Sequence, residues 1–463
     1  MAYLADLLAE HRGENFFLHE NYLNTQLVRV LRTIGYDRLY TRAVGPYLYD
    51  ERGDEYLDLL SGWGVFALGR NHPKVKAALA DVLAQDLPDL VQLDVSLLAG
   101  LLAERLLRFT PGDLCKVFFC NSGAEAVEAA MKFSRYTTRR PKILYLEHGF
   151  HGLTYGALSL NGERLFQEGF GPLLPDCEPV PFGDLHALEH AIRRRDVAAL
   201  VFEPIQGKGV NIPPDDYLPE ATRLCRNHGT LLVADEIQTG LGRTGKFFAV
   251  EHWGVEPDMI CMAKALSGGF VPVGAVAMRK PVMDAVFNRM DRAVVHGSTF
   301  AKNNLAMAAG LATLQVLEEE RLVEHAAVMG EAILADLRAL TAKHEFLKDV
   351  RGKGLMVALE FGAPKSLALK AAWGVLETAS RGLFCQMIAI PLFKQHRILT
   401  QTAGHGINVI KLLPPLVIGE RERKRIVAAL DATIADCHRV PGAVWDLGKT
   451  LAGHALKAKA GQQ

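Results

Sequence analysis

The stretch Leu231-Leu232-Val233-Ala234-Asp235-Glu236-Ile237-Gln238 ends an apolar run on two acids. A second apolar run, Asp258-Met259-Ile260-Cys261-Met262, leads into Ala263-Lys264-Ala265 and sets a lysine 29 residues after Asp235. Short apolar runs bounded by polar residues read as buried strands. The pattern recurs at 116–120, 142–146 and 199–203, with helical stretches between most of the runs. Such alternation, from about 61 to 325, predicts an α/β domain with a mostly parallel central sheet covered on both faces. Ligands of such sheets bind beyond the carboxyl ends of the strands, where Asp235 and Lys264 both fall.

Outside this core the pattern changes. Residues 1–35 alternate polar and apolar at helical spacing and read as an N-terminal arm. Tyr47-Leu48-Tyr49-Asp50 and Glu55-Tyr56-Leu57-Asp58-Leu59-Leu60 flank a turn at Glu51-Arg52-Gly53-Asp54, which predicts a hairpin. One long helix is expected around 301–345. A turn and strand at 350–361, then helix, strand and a final helix near 420–437, make a smaller α+β unit. We expect that unit to pack with the N-terminal segments. The division is 1–60 for the arm and part of the small domain, 61–325 for the large cofactor-binding domain, and 326–463 for the C-terminal small domain. The tail after about 445 is expected to fray.

The bulk numbers exclude several function classes. Lys+Arg 52 balance Asp+Glu 52, so no basic footprint suggests nucleic acid or an anionic membrane. Seven cysteines without a C-x-x-C pair favour a reducing compartment. The N-terminus lacks the basic start and apolar stretch of a signal peptide, and no transmembrane segment of roughly 18 apolar residues occurs. The expectation is a cytoplasmic protein.

The Asp235–Lys264 pairing carries the chemistry. A lysine amine can form a Schiff base with pyridoxal 5'-phosphate, and a carboxylate can keep the pyridine nitrogen protonated so that the ring accepts electrons. Upstream, Phe118-Phe119-Cys120-Asn121-Ser122-Gly123-Ala124-Glu125 runs from a strand through a polar turn into a strong helix former. Ser122, Gly123 and Ala124 would open that helix and offer free N–H groups to a phosphate, although an ordinary capped helix start has the same look. In Gly149-Phe150-His151-Gly152 the phenylalanine could stack on a flat ring; a core phenylalanine beside a surface histidine is the plainer alternative. Gly240-Leu241-Gly242-Arg243-Thr244-Gly245 matches a dinucleotide fingerprint in spelling only, because five residues separate it from the strand end. Metal motifs are absent, and histidines 151, 228, 252 and 405 read as satisfied loop residues.

Taken together, these segments resemble the class III family of pyridoxal-phosphate-dependent aminotransferases, fold type I, from about residue 35 to 440. The markers are Asn121-Ser122-Gly123-Ala124-Glu125, Phe150-His151-Gly152, Glu203-Pro204-Ile205-Gln206-Gly207, Asp235-Glu236-Ile237-Gln238-Thr239-Gly240, Gly242-Arg243-Thr244-Gly245, Ala263-Lys264, Gly297-Ser298-Thr299-Phe300 and Arg351-Gly352-Lys353-Gly354. The resemblance implies that Lys264 carries the cofactor and then moves the proton. It implies that Asp235 pairs with the pyridine nitrogen, that Gln238 reaches the ring hydroxyl, and that Phe150 and Ile237 flank the ring. Ser122, Gly123 and Ala124 would hold the phosphate with Thr299 of a partner subunit, and His151 and Glu203 would stand beside the cofactor. A homodimer with shared active sites follows.

Two departures bear on the substrate. Ornithine- and γ-aminobutyrate-type members carry an arginine before the C-terminal Pro-Pro-Leu and a glutamate after the Glu-Pro-Ile-Gln-x segment; this chain has Lys411 and Lys208 there. Lysine does not reproduce bidentate carboxylate recognition. Trp63 lies where the family lines its substrate channel, and the arm is most similar to putrescine-type members. A weaker likeness, through His405-Gly406-Ile407-Asn408-Val409-Ile410-Lys411, is to aminotransferases of hopanoid lipid pathways. The expected reaction moves an amino group between a donor such as glutamate and a primary amine or terminal aldehyde without an α-carboxylate. Alternatives are an acetylornithine- or ornithine-type aminotransferase and an aminomutase or lyase on the same fold. A non-catalytic scaffold is disfavoured by the retention of both Lys264 and Asp235.

Overall fold

A computed structural model of the protein describes residues 3–460. Its centre is a seven-stranded sheet in the order Leu114–Cys120, Gly274–Arg279, Met259–Met262, Leu231–Asp235, Val197–Phe202, Lys142–Leu146, Cys177–Val180. The last five of these run parallel, and Gly274–Arg279 is antiparallel to both its neighbours. All six residues of Val197–Phe202 are buried, which is why this strand is continuously apolar rather than alternating. Helix Gly123–Thr138 covers one face with Ala126, Val127, Ala130, Met131 and Phe133. On the other side, helix Asn304–Glu319 packs between Pro73–Ala84 and Leu97–Leu107.

Two strands lie outside the sequence expectation. Cys177–Val180 is a sheet edge, and Pro179 hid it because proline suits only edge positions. Gly274–Arg279 follows Gly268, Gly269 and Pro272, so its start reads as loop.

Two four-stranded sheets stand beside this core. One contains Tyr40–Val44, Tyr47–Asp50, Glu55–Asp58 and Ile398–Leu399; the other contains Leu347–Lys353, Met356–Phe361, Val409–Leu412 and Gln401–Thr402. The expected hairpin is present, with Tyr47 opposite Leu57, and its second strand pairs in parallel with Ile398–Leu399. The segment 350–361 holds two strands, not one, because Gly354 at φ 52° turns the chain between them.

Two further expectations are corrected. The helix around 301–345 is two helices, Asn304–Glu319 and Leu322–Ala339, broken at Arg321, whose φ of 50° no right-handed helix accommodates. The tail is not frayed as far as Ala460; residues 461–463 lie outside the described residues. Ala443–Ala460 is helical, and Val444, Trp445, Leu451 and Ala452 are buried against the preceding helices. Trp445 also donates from Nε1 to the Cys437 carbonyl at 2.9 Å.

Arg243, from the glycine-rich spelling, is fully buried. Its Nη1 donates to the carbonyls of Leu355 and Pro414 and so ties the large sheet to the C-terminal unit. A Cβ on Gly354 would lie 2.3 Å from the Thr244 carbonyl carbon, so this glycine is required by close backbone approach. No helix among the described residues is long and apolar enough to cross a membrane, and no metal-holding cluster occurs among them.

Candidate active site

A cavity of about 820 Å³ opens at the carboxyl ends of the parallel strands. Asp235 ends its strand there, and Lys264 follows Met259–Met262 after one residue. Phe150 and His151 follow Lys142–Leu146, while Glu203 follows Val197–Phe202. Those two adjacent strands send the chain in opposite directions across the sheet, the crevice at which open α/β sheets bind ligands.

Asp235 is held from two sides. His151 Nδ1 donates to its Oδ2 at 2.7 Å, and the Ile237 amide donates to its Oδ1 at 3.1 Å. Burial works against a charge on His151, but the bond to Asp235 and the nearby Glu203 outweigh it and leave the imidazole pKa raised. His151 is thus no surface loop residue: it is buried, and its Nε2 has no hydrogen-bond partner among the described residues. Glu203 receives the Phe150 amide at 2.9 Å and the Gly207 amide at 2.7 Å, clamping the two loops that flank the crevice. Burial raises its pKa above the carboxylate norm.

Lys264 lies in the left-handed region at φ 44°, a strained conformation for a side chain with a Cβ. Burial lowers its pKa, against the pull of the Asp235 and Glu203 carboxylates. The amine is therefore eased toward its neutral, nucleophilic form.

At the head of helix Gly123–Thr138, Ser122 Oγ accepts from the Glu125 amide at 3.2 Å, and Glu125 in turn accepts from the Asn121 amide. Ser122, Gly123 and Ala124 line the cavity. A Cβ on Gly123 would fall 2.7 Å from Ile237 Cδ1, so the backbone reaches the cavity there because a side chain cannot. Asn121 Nδ2 donates to Ser298 Oγ at 2.6 Å, yet Thr299 beside it is exposed and does not line this chain's own cavity.

The remaining wall comes from both ends of the chain. Ser61, Gly62 and Trp63 have φ of 49°, 60° and 59°, three successive left-handed residues. Asp58 anchors them, accepting from the Leu60 and Ser61 amides at 3.0 and 2.8 Å while pairing with Arg70 at 2.7 Å. Trp63 Nε1 donates to Gln401 Oε1 at 2.8 Å, and the Trp63 carbonyl accepts from Gln238 Nε2 at 3.0 Å. Lys411 is buried and donates to the Gly207 carbonyl at 2.6 Å and to Gln238 Oε1 at 3.0 Å. Burial, with Lys264 next in weight, brings its pKa down to about 7. Lys208 is bonded to Glu163 at 2.7 Å. The sequence reading missed Glu163, Phe166 and Gln401, all of which line the cavity. Glu163 and Phe166 belong to the short helix Arg164–Gln167 and its cap, and Gln401 to the two-residue strand Gln401–Thr402; none carries a marker pattern, and only the fold brings them in.

A strained lysine, a braced carboxylate, a helix head opened by a glycine and a slot bordered by Phe150 and Ile237 share one cavity. These groups fit pyridoxal phosphate: an amine for its carbonyl, a negative charge for its ring nitrogen, and backbone N–H groups for its phosphate.

Comparison with known proteins agrees. The family model described as aminotransferase class-III matches residues 33–434. The putrescine aminotransferase of Pectobacterium atrosepticum is 44% identical over 420 residues, 87% of this chain and 85% of that protein. Aminotransferase PigE of a Serratia strain is 35% identical over 470 residues, and there the chain spans 94% of itself but only 55% of the relative. Among solved structures, the ornithine aminotransferase of Toxoplasma gondii, which holds PLP at partial occupancy, superposes with a TM-score of 0.78 at 30% identity. That match covers 92% of this chain and 97% of the other.

Proposed function

The chain belongs to the class III aminotransferases and is a pyridoxal-phosphate-dependent transaminase, and on that premise we propose that it transfers an amino group between a donor such as glutamate and a primary amine or terminal aldehyde lacking an α-carboxylate, free or at the end of a lipid-linked polyol. The observation that carries this reading is the engagement of both substituted lysines. Lys411 is spent on Gly207 and Gln238, and Lys208 on Glu163, so neither offers a free cation to a second carboxylate. The cavity is also large and mostly apolar, bordered by Val65, Phe150, Phe166, Phe270 and Val271.

When bound, the cofactor supplies a carbonyl that takes up the amino group and a ring that draws electrons from the substrate carbon. Ser122, Gly123 and Ala124 would hold the phosphate at the helix N-terminus, joined by Thr299 of the partner subunit. Phe150 and Ile237, both lining the cavity, would hold the ring between them. Asp235, fixed by His151 and the Ile237 amide, would pair with the ring nitrogen. Glu203 keeps the Phe150 loop in place, and Gln238, held by Trp63 and Lys411, would reach the ring hydroxyl. Lys264, its amine eased toward the neutral form by burial, would hold the cofactor and serve as the base that moves a substrate proton. Trp63 closes the channel above.

Leu93, Val95, Leu153, Tyr155 and Phe300 are exposed apolar side chains that a shared interface would cover. The division into 1–60, 61–325 and 326–463 is proposed alongside it, with the site between the large sheet and the C-terminal unit.

The test is a spectrophotometric half-reaction screen over amino acids, diamines and long-chain amines, with Lys264→Ala as the control that abolishes the cofactor band. Conversion to the pyridoxamine form by simple amines is expected. Strong reaction with N-acetylornithine and none with simple ω-amines would overturn the reading.

A further inference from the structure

Glu163 immediately precedes the short helix Arg164–Gln167, in a segment that carries none of the family markers. Its carboxylate reaches the cavity and accepts from Lys208 Nζ at 2.7 Å, with the two side chains only 21% and 15% exposed. The ammonium also sits 4.0 Å from the Phe166 ring centre and 5.0 Å from that of Phe150. Those rings meet edge to face at 5.7 Å. A cation over two aromatic faces and against one carboxylate is thus satisfied within the wall.

Lys208 itself is held from behind. Asn211 donates to its carbonyl at 3.4 Å, and the Gly209 amide donates to Ala403 at 3.2 Å. Arg351 grips the same loop through the carbonyls of Gly209 and Val210, at 2.7 and 3.0 Å. Glu163 faces the bend that follows Gln401–Thr402, where a Cβ on Gly404 would stand 3.6 Å from its Oε1. Two charges so placed cancel for anything that enters the cavity. Removing either leaves the other uncompensated in a partly dry wall.

The geometry points to Glu163 and Lys208 as a specificity pair: mutually neutralised, they present no net charge to the far end of the substrate and so select an uncharged terminus over a carboxylate or an ammonium. Breaking the pair from either side exposes one sign and recruits the complementary substrate. This rests on the proposed reaction and adds which residues choose the substrate's far end.

The experiment uses the holoenzyme and three five-carbon amines differing only at the distal end: pentylamine, cadaverine and δ-aminovalerate. For each, the single-turnover conversion is followed by absorbance. Unreactive valerate is titrated separately by intrinsic fluorescence, which reads binding without turnover. Glu163→Gln is expected to raise δ-aminovalerate over pentylamine, and valerate affinity, about tenfold, the factor that roughly 1.4 kcal/mol of attraction yields. Lys208→Met is expected to raise cadaverine over pentylamine by a similar factor. The double variant, which strands no charge and guards against misfolding of either single one, is expected to return to the wild-type order. Unchanged ratios in both single variants, or in the double variant a ratio displaced as far as in a single one, would overturn the pair. Failure of the wild type with all three amines would instead overturn the proposed reaction.

Discussion

Lys411 donates to Gln238 Oε1 at 3.0 Å and to the Gly207 carbonyl at 2.6 Å, so it braces the cavity wall from within. Lys411→Met leaves both acceptors unpaired and lets Gln238 turn away. We expect the half-reaction rate to fall about tenfold, a barrier increase of roughly 1.4 kcal/mol. A pH effect follows as well. With its pKa brought from 10.5 to about 7, Lys411 binds a proton in the unfolded chain that the folded chain does not hold across that window. Its contribution to stability therefore rises with pH between the two values, and below them it carries the full cost of a buried charge. Chemical denaturation at a series of pH values is expected to show a flatter rise for Lys411→Met than for the wild type.

His151 and Asp235 form a buried pair at 2.7 Å. His151→Ala removes the donor and strands the carboxylate. The expected cost is about 3–5 kcal/mol of stability, together with weaker retention of the cofactor on dialysis. Retention and melting temperature equal to the wild type's would show that Asp235 needs no such brace.

Gly123 faces Ile237 across 2.7 Å measured from an added Cβ. Gly123→Ala is expected to cost about 1–3 kcal/mol through overcrowding and to loosen cofactor binding. Gly123→Ala combined with Ile237→Val, which trims the methyl that would clash, should recover most of the stability. Calorimetry of the single and double variants checks both statements.

Asp58 restrains the three left-handed residues that carry Trp63. Asp58→Ala removes two amide acceptors and the partner of Arg70. Loss of about 3–5 kcal/mol is expected, with altered tryptophan emission as Trp63 leaves Gln401. An unchanged emission spectrum would mean that the loop holds its shape without the carboxylate.

The floor of the site was legible because chemistry and local pattern coincide there. Asp235 and Lys264 end apolar strands, and Gly123 opens a helix, so period and composition expose them. His151 was harder. Its loop position suggested solvent, and only the sheet order, which sets Lys142–Leu146 beside Val197–Phe202 and one strand away from Leu231–Asp235, makes it a buried partner of Asp235. Lys208 and Lys411 were visible as departures, but what engages them was not. Glu163 precedes its partner by many residues, and no short-range pattern encodes that meeting. The break at Arg321 and the packed C-terminal helix escaped for a related reason: tertiary contacts there override local preference.

Ile398–Leu399 runs alongside Leu57–Asp58, and Gln401 beyond it takes the indole of Trp63. The first and last portions of the chain are thus stitched together directly over the reactive lysine, a pairing of high contact order. On a ribosome, the segments bearing Asp235 and Lys264 emerge early enough to assemble, but the roof above them waits for the final stretch of polypeptide. A chain lacking residues from 398 onward would have neither the Gln401 partner of the Trp63 indole nor the Lys411 brace of Gln238. The walls that discriminate among substrates are therefore the last part of the site that the growing chain supplies.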